Sequence, residues 1–163
     1  MIKVDGIEPI QKKISALAAL VKDTTPIMKE IGNALENRIE ENFDEQGYYG
    51  QKWAPLKDAG AGYDKKRVGK RGKPLKRFLD YVANRKILNR SGHLANHWTV
   101  QASHNEVVVG TNAWYGIFHQ FKTKNTALPV RKFIPINEHG VIDPRMSSEI
   151  QNLIVSKIKK VTD

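Results

Sequence analysis

The chain has 163 residues, 40% apolar and 27% charged, enough for one soluble domain over 1–163 with a genuine core. It contains no cysteine, which excludes disulfides, thiolate metal centres and thiol chemistry, and no apolar run approaches the ~20 residues of a spanning helix. The formal charge is +10, and eleven basic residues between Lys57 and Lys86, opposed only by Asp58, Asp64 and Asp80, give that stretch +8 and leave the body near neutral.

Residues 1–6 lack the charged and apolar regions of a signal peptide, so retention in a cytoplasm is expected. Ile7, Ile10, Ile14, Leu17 and Val21 recur at three- and four-residue steps and predict a helix over 7–22. Thr25 is placed to cap a second helix and Pro26 to occupy its first turn, where a missing N–H costs nothing. That helix should run over 26–44, with Ile27, Ile31, Leu35, Ile39 and Phe43 along one seam. A short connection makes the two helices an antiparallel hairpin. An extended segment over 51–56 follows the break at 46–50.

Residues 57–73 combine Gly60, Gly62, Gly69 and Gly72 with dense like charge, which predicts a flexible basic loop. Leu75, Phe78, Leu79 and Val82 then suggest a short basic helix over 74–84. Alternation in 98–102 and 106–110, with Ser103, His104 and Asn105 between, reads as a β-hairpin. Trp114, Ile117, Phe118 and Phe121 share one face of a short helix over 113–121. Residues 127–136 read as extended, and Pro129 and Pro135 confine them to an edge or bulged position. Asp143 caps a final helix opened by Pro144, with Ile150, Leu153, Ile154, Ile158 and Val161 on its apolar face. The fold class is α+β: an N-terminal helical hairpin and a C-terminal helix packed on a small antiparallel sheet, with a long basic loop.

Signals for chemistry are weak. His93 and His97 have the four-residue spacing of helical metal ligands, but no Glu lies between them and the flanks read as a turn entering a strand. His97, His104 and His119 lack the hairpin-to-helix spacing of His-Asn-His nucleases. Residues 69–73 have neither the spacing nor the strand of a phosphate-binding loop, and Ser91-Gly92 has no nucleophile-elbow context. No cofactor and no catalytic residue is expected. The basic segment is the stronger signal, with Lys65, Lys66, Arg67, Lys70, Arg71, Lys73, Lys76 and Arg77 as contacts for a DNA backbone or an acidic partner. Tyr63, Phe78 and Tyr81 are too sparse for base stacking.

Five motifs occur in order: residues 50–56 around Trp53, 87–94 around Ser91-Gly92, 107–111, 115–121 with His119-Gln120-Phe121, and 128–134 with Arg131 and Phe133. This succession resembles the bacteriophage virion morphogenesis family of Mu-like G and tail completion proteins, from about Ile27 to Ile136. It departs by placing Lys122-Thr123-Lys124 where the family has glycines and Lys132 where the family has a second proline. The resemblance implies a non-enzymatic assembly protein at the tail or head–tail junction, found in the virion and, during assembly, in the host cytoplasm. Its partners would be other tail or connector proteins, further copies of itself in a homo-oligomeric ring, and DNA backbone, with no membrane. Trp53, Trp114, Tyr115, His119, Gln120, Phe121, Arg131 and Phe133 are then the candidate structural or subunit contacts, Arg131 through a carboxylate or carbonyl. The alternatives are a sequence-nonspecific DNA-binding protein and a metal nuclease built on the histidines.

Overall fold

A computed structural model of the chain describes residues 8–55, 73, 76, 85–89, 91–122 and 128–162. The expected basic loop, apart from Lys73, and the expected helix over 74–84, apart from Lys76, lie outside them. The order of elements is α1 (Glu8–Lys22), α2 (Thr25–Asp44), β1 (Gly47–Tyr48), β2 (Gln51–Lys52), α3 (His93–Asn96), β3 (Thr99–Ala102), β4 (Val107–Gly110), a 3-10 turn (Trp114–Gly116), α4 (Ile117–Gln120) and α5 (Pro144–Thr162). The fold is α+β, with two small antiparallel sheets among the described residues, β1–β2 and β3–β4. No described helix is long and apolar enough to cross a membrane.

The chain divides into two compact units. The first comprises residues 1–39, 98–112 and 134–163. Its core is the seam of α2, where Ile27, Ile31 and Ile39 are buried, together with Met146 of α5, which is fully enclosed. β3 and β4 pair in the expected hairpin, Thr99 opposite Gly110 and Ala102 opposite Val107. Gly32 explains how closely the hairpin approaches α2: a methyl group there would stand 2.3 Å from Val100 Cγ1 and 2.8 Å from Val107 Cγ2. Helix α1 packs along α5, and its stripe of Ile10, Ile14 and Val21 stays exposed. The apolar face of α5 is likewise only partly covered, Met146 rather than Ile158 being its deepest side chain.

The two expected helix starts turn out differently. Asp143 caps α5, accepting the Arg145 N–H at 3.0 Å. The α2 start differs from expectation: the Thr24 carbonyl accepts the first helical N–H, from Met28, and Thr25 is already helical. The capping oxygen is that of Asp23, which accepts the Thr25 amide at 3.0 Å because an Asx side chain reaches an N–H two residues on. Bonds from the Thr25 hydroxyl and then its amide hold the Asp23 carboxyl below its ordinary range. His104, in the β3–β4 turn, accepts the Thr24 amide at 3.2 Å through Nδ1, and its carbonyl accepts the Thr24 hydroxyl. Those bonds pin the helix connection to the hairpin turn.

The second unit comprises residues 40–97 and 113–133. Ser91-Gly92 does form a turn, Gly92 taking the left-handed conformation at φ 76°. Where the flanks of His93 and His97 read as a turn entering a strand, Leu94 instead lies on the one-turn helix α3 and is buried. The helical segment over 113–121 forms, but Trp114 and Ile117 face solvent, and Ala113, Gly116 and Gln120 are the buried positions. The swap follows from the close approach at Gly116, where an added methyl would lie 3.0 Å from Leu94 Cδ1 and 3.3 Å from Phe133 Cζ. A methyl there would crowd both neighbours, so a glycine gives that face its closest approach to the core, and the bulky residues turn outward. Residues 128–133 form no strand, a consequence of Pro129 and of the side-chain bonds that occupy backbone groups of 132 and 133.

Candidate functional site

Four of the five ordered motifs meet in the second unit. At its centre Phe43, from the last turn of α2, meets the edge of Trp53 at 5.5 Å and 81° and the ring of Phe133 at 5.3 Å. Edge-on and tilted contacts of this kind add to burial because the ring rim is positive and the face negative. The Trp53 indole N–H donates to the Lys132 carbonyl at 2.7 Å. Gln120 accepts the Phe133 amide at 2.9 Å. Asn42, only 1% exposed, donates to the Phe133 carbonyl at 3.0 Å and accepts the Tyr49 amide at 3.2 Å. Segment 131–133 thus receives from side chains the backbone pairing that a sheet would have given it.

Arg131 completes the arrangement. It is 4% exposed, and its guanidinium donates from Nε to the Ala54 carbonyl at 3.0 Å and from Nη2 to the Pro55 carbonyl at 3.2 Å. Its own amide donates to the His119 carbonyl at 2.7 Å. Burial of the charge lowers its affinity for a proton, yet a guanidinium stays charged and suits a pair of carbonyls with its rigid fork. Of the expected contacts, Trp53, Gln120, Arg131 and Phe133 therefore sit inside the unit. Phe121 ends α4 and is half-buried, and Trp114 is 76% exposed.

Tyr115 and His119 line a cleft of about 390 Å³ with Arg85, Lys86, Leu88, Asn89, Ser91 and Leu94. Leu88 holds a left-handed backbone at φ 58°, a conformation that disfavours bulky residues and concentrates at binding sites. His119 Nδ1 is covered and, among the described residues, lacks a hydrogen-bond partner. Burial first, and the Arg131 guanidinium second, lower the His119 pKa below its ordinary value, so the ring is neutral at pH 7. Arg85 and Lys86 stand exposed at the cleft, Lys86 Nζ lying 3.5 Å from an Asp44 carboxylate oxygen.

The histidines do not assemble a metal centre. His93 and His97 stack at 4.6 Å across α3, and among the described residues no three His, Cys, Asp or Glu side chains are grouped as ligands. Of the eight basic residues expected to meet a polyanion, Lys73 and Lys76 are described, both exposed; Lys65, Lys66, Arg67, Lys70, Arg71 and Arg77 lie outside the described residues. The cleft and Asn42 escape a reading of sequence. Asn42 could have been found, since it shares the seam of Ile39 and Phe43, where a polar residue must have partners. Leu88, Asn89 and Ser91 belong to the motif over 87–94, but nothing in that motif marks them as walls of a cleft.

A relative, the Mu-like prophage FluMu G protein 2 of Haemophilus influenzae, is 24% identical over 147 residues, which covers 87% of this chain and 88% of that protein. No solved structure matches. The model of the phage virion morphogenesis family matches residues 5–159, taking in both units and all the motifs, and the chain belongs to that family.

Proposed function

We propose that this phage assembly protein completes the tail or the head–tail junction as a non-enzymatic subunit of a homo-oligomeric ring, in the virion once built and in the host cytoplasm beforehand. The observation that carries this reading is the apolar surface. Among the described residues twelve large apolar side chains are exposed, Trp114 most of all. Scattered exposed aliphatics are ordinary, but a Trp open to water beside Ile117 is a typical anchor of a protein contact. The buried polar groups of the second unit, Asn42, Gln120 and Arg131, are occupied in holding backbone, which supports a scaffold role rather than chemistry. The partners under this reading are other tail or connector proteins and further copies of the chain.

The cationic stretch over 57–86 supports a second contact, with DNA backbone or an acidic protein face. Electron microscopy and sedimentation of the purified protein test the ring: closed annuli support it, and a lone subunit at every accessible concentration refutes it. Deleting residues 57–73 tests the charge: retention of DNA should weaken and its salt dependence flatten, by about 0.9 in the logarithmic slope for each phosphate no longer neutralised. If DNA binding persists unchanged in the deletion, the segment is not the DNA-binding element. If the intact chain binds DNA tightly and never self-associates, the simple DNA-binding reading takes over.

A further inference from the structure

Helix α1 leaves its apolar stripe uncovered. None of its 15 residues is buried, and only Leu17 and Leu20 are half-buried, although the helix packs along α5. Ile7, Ile10, Ile14, Leu17 and Val21 follow one another at steps of three, four, three and four, the a and d positions of a coiled-coil heptad. Ile7, Ile14 and Val21 take the a positions, Ile10 and Leu17 the d positions. A helix that merely lies on a core turns such a stripe inward; here Ile10, Ile14 and Val21 are each more than half exposed. We infer that α1 pairs antiparallel with α1 of a second copy, Ile10 layered on the partner's Val21 and Ile14 on the partner's Leu17. The inference rests on the self-assembly reading above and adds a contact to it.

Three observations choose that occupant. Heptad spacing keeps a seam in register with another helix along its whole length, and the seam from Ile10 to Val21 spans about 16 Å. The layers are self-complementary: about a two-fold axis between Ile14 and Leu17, every d position meets an a position, and the same four side chains fill both halves. The charges fix the direction. Glu8 stands in the first turn and Lys22 in the last, so antiparallel helices set each Glu8 at the end that carries the partner's Lys22, and their macrodipoles oppose. Parallel helices would put like beside like at both ends. Flanking the seam, Gln11 meets the partner's Ala18 and Lys13 the partner's Leu20, so no like charges face each other. A two-fold contact closes after two copies and is a pairing step separate from the head-to-tail contacts of a ring.

The chain has no cysteine, so an introduced thiol is unique. Ile10→Cys and Val21→Cys are made in full-length protein, both at exposed positions, and each is checked for native far-ultraviolet circular dichroism. Mixed one to one and oxidised, they should give mainly the mixed disulfide dimer, which mass spectrometry separates from either self-dimer; each alone should stay largely uncrosslinked. Ser15→Cys, on α1 but away from the seam, should crosslink with neither, and equal crosslinking there would mean collision rather than a seam. Independently, Ile14→Glu should weaken self-association in sedimentation velocity about tenfold or more, because pairing would bury its carboxylate. Self-dimers of each cysteine variant in place of the mixed one would show parallel pairing and overturn the inference. If the parent associates but the mixture forms no disulfide, or Ile14→Glu assembles as the parent does, α1 is not the contact while self-assembly stands. If the parent never associates, both fall together.

Discussion

Gly32 gives the sharpest test of how the first unit is packed. Placing Ala at a Gly in a helix interior ordinarily stabilises by up to about 1 kcal/mol. Here the new methyl would lie 2.3 Å from Val100 Cγ1 and 2.8 Å from Val107 Cγ2, when ordinary carbon contacts begin near ~3.5 Å. Something must yield by more than an ångström. Both neighbours are β-branched, with few side-chain rotations open to them, so the hairpin must lift from α2. A methyl this close puts the cost at the upper end of overpacking, about 2–3 kcal/mol; after the helical gain of about 1 kcal/mol the net loss is about 1–2 kcal/mol. For a chain of this size that lowers the melting temperature by roughly 3–6 °C. Gly110→Ala is the control, since a methyl there meets nothing within 4 Å, and its melting temperature should match or exceed the parent's. Circular dichroism melts of the three proteins decide it. A Gly32→Ala protein as stable as the parent would refute the close helix-to-hairpin packing.

Trp53→Phe keeps the ring against Phe43 but loses the N–H bond to the Lys132 carbonyl, and urea unfolding should show a loss of about 1–3 kcal/mol. Arg131→Lys retains charge but cannot span the Ala54 and Pro55 carbonyls with one rigid fork; the same measurement should report a loss of about 2 kcal/mol. His119 has its folded pKa below the ordinary 6.5, so the unfolded chain binds the proton more readily. Its neutral form should give full stability above about pH 6.5, with stability falling as the pH drops toward the folded pKa. His119→Gln should flatten that part of a stability-against-pH curve, and an unchanged slope would show that His119 is not its source. Asp23 works in the opposite sense through its depressed pKa: its stabilising effect is present above the unfolded carboxyl range and is lost on further acidification, a dependence that Asp23→Ala should remove.

How much is legible in the sequence depends on whether structure is local. The long seam of α2 and the Asp143-Pro144 start of α5 are readable because their spacing and caps are properties of neighbours along the chain. The β3–β4 hairpin is readable for the same reason, its alternation and turn being contiguous. The inward face of residues 113–121 is not, because hydrophobicity points to Trp114 and Ile117, whereas contact distance requires Gly116 to face the core. The α2 cap depends on a choice between adjacent polar residues that only backbone geometry resolves. The motifs around Trp53, Gln120 and Arg131 are visible as an ordered set, but not the reason for them: each side chain bonds a backbone group of a segment distant in sequence. The cleft is illegible since its walls come from separate stretches, and the motif over 87–94 gives no sign that Leu88 takes a left-handed backbone.

The segment 131–133 carries a consequence for synthesis. Its partners Asn42, Trp53, Ala54 and Pro55 lie 76 to 91 residues upstream. A growing polypeptide therefore cannot close its second unit until nearly all of it has left the ribosome, and loop closure over such distances is slow. A product terminated before residue 131 lacks the clasp entirely and leaves the second unit open.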